Sequence, residues 1–132
     1  MPKLRSIAAP AARLLAVALF VAGLAAGAAA ADQADAIAAI GNADHGKDLI
    51  ARVGCGACHV IPGIIGADGM VGPPLDHIAS RGFLAGMLHN SPDNMVTWLR
   101  HPQQIVPGNA MPDLGLSEAD ARDIAAYLET LK

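Results

Sequence analysis

Aromatic residues are nearly absent: the 132 residues hold one Trp, one Tyr and two Phe. A small domain this poor in large rings struggles to fill a core from its own side chains. It needs either a tightly packed alanine-rich helical bundle or a buried apolar group that is not protein. Cysteine is scarce too, with two residues, so at most one disulfide is available. Positive charge is in deficit, with nine Lys and Arg against twelve Asp and Glu. A basic nucleic-acid surface is therefore not expected. No stretch alternates apolar and polar residues convincingly, which argues against a β fold, and there is no internal repeat.

Both cysteines fall in Cys55-Gly56-Ala57-Cys58-His59. This is the attachment signature for c-type haem. Each thiol adds across one porphyrin vinyl group, one turn of chain spans the two vinyls, and the adjacent His59 binds the iron. Three blander readings compete. A thioredoxin-like pair would want a strand before it and a βαβ frame, and none is visible. A lone structural disulfide stays formally open. A zinc site would need further ligands at suitable spacing, and His45, His77, His89 and His101 are scattered. A buried porphyrin would also supply the apolar volume that the aromatics do not.

The N-terminus agrees with attachment outside the cytoplasm. Lys3 and Arg5 precede an apolar run from Leu14 to about Ala26, and small residues follow to Ala31. This is the build of a secretory signal peptide over residues 1–31. Leu14–Ala31 is also 18 residues without a charge, so an uncleaved anchor is the alternative. Cleavage would remove Lys3, Arg5 and Arg13, leaving 101 residues with six cations and twelve carboxylates, net −6. The expected location is the periplasm, with tethering to the inner membrane only if the segment is kept.

Residues 32–43 read as an Ala-rich, irregular lead-in or the start of the first helix, and residues 44–132 as one domain. Asn42 or Asp44 caps a helix from about His45 to Val53, with Leu49, Ile50 and Val53 on its apolar face. Gly54 ends it. Val60–Leu75 is Gly- and Pro-rich, and its branched residues and Met70 are expected to cover something apolar. Asp76–Ser80 and Phe83–Leu88 read as short helical pieces. Ser91-Pro92 opens a helix that Pro102 stops. Gln103–Gly115 is again loop. Ser117 caps the last helix, whose stripe is Ala121, Ile124, Ala125, Leu128 and Leu131. The expected class is all-α, with long loops wrapped around a flat cofactor.

His59 leaves one axial position open. Met111 lies in Val-Pro-Gly-Asn-Ala-Met-Pro-Asp, a loop stiffened by prolines, and is the favoured second ligand. Met87 and Met95 fall in helical pieces and read as core. Met70 lies in the loop nearest the His side. His101, at a helix end, is the main rival.

From Gly46 to Leu131 the sequence resembles the class I cytochrome c family. Gly46 and Ile50 match the family's first helix, Gly72-Pro73-Pro74-Leu75 its Gly-Pro-x-Leu stretch, Pro107-Gly108-x-x-Met111 its Met loop, and Tyr127-Leu128 its last helix. The resemblance implies the cytochrome c fold around one haem c, covalent through Cys55 and Cys58, with iron between His59 and Met111. It implies that the Pro73 carbonyl accepts the His59 ring N–H, that Arg81 faces a haem propionate, and that Trp98 lies near the Met ligand. Leu75 and Asn109 join these as expected haem neighbours. The family's function would be single-electron transfer, not catalysis, between partners such as a quinol-cytochrome c reductase and a terminal oxidase. The loop from His59 to Pro73 is longer than in mitochondrial-type members. Asn90 stands near the place of their propionate-binding tryptophan, and their lysines around the haem edge are missing. A haem enzyme, a gas sensor or an oxidase subunit are the rival functions.

Overall fold

Two capped helices carry most of the architecture. In the computed structural model, which describes residues 31–132, Asn42 accepts the His45 N–H at 3.0 Å and starts helix α2, Ala43–Val53. Asp44 in its first turn and Arg52 in its last suit the helix dipole. Gly54 closes it in the left-handed region, φ 86°. Ser117 accepts the Asp120 N–H at 3.1 Å and starts helix α5, Glu118–Leu128. The two helices form the largest interhelical contact among the described residues.

Gly46 explains how close that crossing is. A Cβ there would overlap the Asp123 carbonyl of α5. Leu49 and Ile50 pack with Ala121, Ile124, Ala125 and Leu128 in one core, as the apolar stripes predict. Leu131 lies beyond the end of α5 and is half-buried against the same core. Helix α3, Pro92–Arg100, is capped by Ser91 and adds Met95, Val96 and Leu99. Ile61, Ala67, Ile78 and Leu84 complete the core from the loops.

Several expectations change. Residues 31–40 are helical (α1), not irregular, because an alanine-rich run has the highest helix propensity. Gly41 and Asn42 separate α1 from α2. Most of residues 1–31, read as a signal peptide, lies outside the described residues.

Phe83–Leu88 is not helical. Phe83–Leu84 (β1) pairs antiparallel with Leu88–His89 (β2). The turn between them needs positive φ at both Ala85 (50°) and Gly86 (70°), which no α-helix accommodates. Met87 is consequently 64% exposed instead of being core, while Met95 is buried. Asp76–Ser80 contributes only a 3₁₀ turn, Ile78–Ser80.

Pro102 stops α3 but also opens a further short helix, α4, Pro102–Ile105. Proline's missing N–H is harmless at a first helical position. In the loop Val60–Leu75, Ile61 and Ala67 are buried as expected, but Ile65 and Met70 face solvent at 103% and 90% exposure. Only part of that loop covers the core. Among the described residues no helix is long and apolar enough to cross a membrane.

Candidate haem site

The end of α2 delivers the motif. After Gly54 the chain makes a 3₁₀ turn, Cys55–Ala57, with Cys58 N–H and His59 N–H both donating to the Cys55 carbonyl, at 3.2 and 3.0 Å. That turn brings Cys55, Cys58 and His59 to one cavity of about 380 Å³. The cavity draws on five segments. Val71, Gly72, Pro73 and Leu75 come from the proline loop, and Ile78 and Arg81 from the turn after it. Phe83, Leu84 and Ala85 come from the hairpin, Trp98 from α3, and Val106, Asn109, Met111 and Leu114 from the loop after α4. Most of these side chains are apolar.

His59 is held in one orientation. Its Nδ1 lies 2.7 Å from the Pro73 carbonyl, which can only accept. The proton is therefore on Nδ1, and Nε2 is left as the ring nitrogen available to a metal. Gly72 is required beside it, since a Cβ there would overlap the imidazole ring. Main-chain bonds stitch the loop to the motif. Gly69 N–H donates to Gly56 at 3.0 Å, Gly72 N–H to Cys58 at 2.8 Å and Leu75 N–H to Val60 at 2.8 Å.

Burial pushes the Cys55 thiol above its ordinary pKa, the largest influence on it. That direction is opposite to an activated thiol's, and among the described residues a helix, not a strand in a βαβ frame, precedes the motif, against the thioredoxin-like reading. Among the described residues no three His, Cys, Asp or Glu gather to hold a metal ion, and the zinc reading finds no ligand set.

Met111 reaches the cavity on a loop with no helix or strand between Ile105 and Glu118. Asn109 organises it. Its Nδ2 donates to the Pro102 and Val106 carbonyls at 2.9 and 2.6 Å, and its Oδ1 accepts the Met111 N–H at 2.7 Å. Gln103, which sequence reasoning passed over as loop, contributes as much. Its Nε2 donates to the Asn109 and Met111 carbonyls at 2.9 and 2.6 Å, and its Oε1 accepts the Gly108 N–H at 3.1 Å. The only signal was an amide side chain placed between Pro102 and the Met loop.

Arg81 lines the cavity as expected but already has partners. Its guanidinium donates to the Pro74 and Asp76 carbonyls and pairs with the Asp76 carboxylate at 3.7 Å. It braces the proline loop. Asn90 is not among the cavity-lining residues. It donates to the Ile78 and Arg81 carbonyls at 2.7 and 2.9 Å, and its Oδ1 is buried without a protein partner. His101 is also absent from the cavity lining.

The family model of cytochrome c matches residues 43–132. The chain belongs to the cytochrome c family. Its class I character agrees with a helix-dominated fold that carries a small two-strand hairpin. Cytochrome c oxidase subunit 2 of Alkalihalophilus pseudofirmus is 34% identical over 91 residues, covering 68% of this chain and 26% of that protein. Cytochrome c2 of Rhodopila globiformis is 49% identical over 43 residues, covering 32% of this chain and 41% of that protein. The chain thus spans less than half of each relative.

As a cytochrome c, the protein carries covalent haem c. The residues present fit that group. Two thiols at the attachment spacing, an imidazole with its Nε2 free and a largely apolar cavity converge at one place. A side chain at Gly72 would disturb that arrangement.

Proposed function

We propose that the protein passes single electrons between respiratory redox proteins, with His59 and Met111 as its two iron ligands. The observation that carries this reading is the pairing of two independently braced ligands on one cavity. Pro73 orients the His59 ring, and Asn109 and Gln103 hold both backbone polar groups of Met111. Haem when bound supplies the one-electron ferrous–ferric couple.

The chain's own residues then do three things. The Pro73 carbonyl, by accepting the Nδ1–H, makes the imidazole a stronger donor. The thioether of Met111 favours the reduced state, and the apolar lining from Leu75, Ile78, Leu84 and Trp98 disfavours added charge. With His59 and Met111 both holding the iron, the protein would leave small ligands no place to bind, which would separate a carrier from a haem enzyme or gas sensor.

The acceptor we favour is a terminal oxidase, supported by the likeness to a chain named cytochrome c oxidase subunit 2. A quinol-cytochrome c reductase fits as donor. The exposed apolar residues Ile65, Met70 and Val71 provide a docking face beside the motif. With a net charge of −6 after cleavage, partners are basic or docked mainly by apolar contact. The expected place of work is the periplasm, with residues 1–31 removed. An intact mass of the mature protein checks cleavage and haem attachment together.

The ligand pair is tested by spectroscopy. The ferric protein should show the weak near-infrared band of methionine-ligated haem c, and Met111→Ala should abolish it. A band that persists in the mutant overturns the assignment. Rapid carbon monoxide binding by the native ferrous form would favour the sensor or enzyme reading.

A further inference from the structure

We propose that Gln103 is the positioning residue that keeps Met111 on the iron, an inference that rests on reading Met111 as the axial ligand. The loop from Val106 to Ser117 is poor in main-chain support. Within Pro107–Leu116 the one main-chain hydrogen bond donated is Asn109 N–H to Val106, at 3.2 Å. Side chains replace the missing ladder. One carboxamide, that of Gln103, engages three backbone groups of the Met loop: the Gly108 N–H and the Asn109 and Met111 carbonyls. The shortest of these, 2.6 Å, is to Met111 itself.

The placement of Gln103 makes it an anchor. It is the second residue of α4, directly after Pro102, which is among the most fully buried residues of the protein. The loop is thereby tied to a rigid point of the core. Asn109 ties back to the same point through the Pro102 carbonyl. Gln103 holds the Met111 carbonyl and Asn109 the Met111 N–H, so the ligand's backbone is fixed on both sides by two amides that are themselves linked, Gln103 Nε2 to the Asn109 carbonyl.

An axial thioether is a weak ligand, and its occupancy depends on how little freedom the loop regains on release. A loop held in its bound arrangement loses less entropy on ligation. Removing Gln103 leaves two carbonyls and one N–H without their partner and lets the loop sample other arrangements. An outside ligand such as imidazole then competes better for the position. Gln103 does not itself line the cavity and meets it through the backbone of Asn109 and Met111, so it acts through Met111.

The test uses the covalent holoprotein. Gln103→Met keeps the length and volume of the side chain and removes its hydrogen bonds. Gln103→Met should bind imidazole to the ferric form about tenfold more tightly than the native protein. The near-infrared band should weaken, and the reduction potential should fall. Amide exchange should quicken at Gly108 and Met111 and stay unchanged at Ile50 and Ile124. Gln103→Asn, one methylene too short, should behave like Gln103→Met. Unaltered imidazole affinity and band in Gln103→Met, with native protein showing the band and Met111→Ala losing it, overturns the role of Gln103. Absence of the band from the native protein overturns the ligand assignment instead, so the two failures are distinct. If Gln103→Met misfolds, Gln103→Asn and the exchange rates still decide.

Discussion

The two sides of the haem cavity are built by different means. The side that holds His59 is a backbone structure. A 3₁₀ turn, the close approach of glycine backbone at Gly56, Gly69 and Gly72, and main-chain bonds from Gly69, Gly72 and Leu75 lock the loop onto the motif. The side that holds Met111 has almost no main-chain support and depends on the carboxamides of Asn109 and Gln103. The first construction tolerates little change at glycine. The second tolerates backbone variation but is vulnerable to single side-chain changes. If His59 and Met111 hold the iron as proposed, the first construction would suit a permanent ligand and the second a ligand whose grip tunes the iron.

The largest expected effect breaks the backbone side. Gly72→Ala drives a Cβ into the His59 ring, and overpacking of this kind should cost about 3 kcal/mol. The yield of covalent holoprotein and its thermal midpoint should both fall, whereas a native-like midpoint would mean the loop can yield. Next comes the side-chain side. Asn109→Ala removes three hydrogen bonds, including the one to the Met111 N–H, and should cost about 2 kcal/mol. The near-infrared band should weaken while spectral signs of His59 ligation persist; equal disturbance of both ligands would erase the contrast between the two sides.

Tyr127→Phe is milder. It removes the 2.6 Å bond from the Tyr127 hydroxyl to the Pro62 carbonyl, which ties α5 to the backbone side. About 1 kcal/mol should be lost in urea titration, with the Met111 band unchanged.

The smallest effect touches neither side. Hydrogen bonds from His45 first, and from the Asn42 N–H second, hold the Asp123 carboxyl below its ordinary pKa. A depressed folded-state value means stability that is complete above the unfolded carboxylate pKa of about 3.9 and lost as pH falls through the folded value. Because His45 is nearly half exposed and solvent screens the pair, the loss should stay under about 1 kcal/mol. Urea midpoints at pH 6 and pH 3 should differ more for the native protein than for Asp123→Asn; identical pH dependence would dismiss the pair as a contributor.

The contrast also explains what could be read in advance. Helices α2 and α5 announce themselves through Asn42, Ser117 and their apolar stripes, because caps and periodicity are local. The motif was legible for the same reason, since spacing along the chain decides its geometry, whereas the role of Pro73 came from the resemblance to the cytochrome c family. The hairpin at Phe83–His89 was not, since nothing in Ala85 advertises a positive φ; tertiary packing imposes it. Nor was the outward turn of Ile65 and Met70, because a loop's apolar residues do not declare which way they face. Gln103 was overlooked because its three partners lie five to eight residues on, in a loop whose course only the folded chain defines.

The crossing of α2 and α5 has a temporal meaning. It joins Asn42 to Asp123, 81 residues apart, so it can form only once nearly all of the described sequence has been made. Contacts this distant in sequence close slowly. Until α5 docks, Gly46 has no partner, Tyr127 cannot reach Pro62, and the turn carrying Cys55 and Cys58 lacks its backing. Docking of the final helix is therefore the step that completes the core against which Cys55 packs.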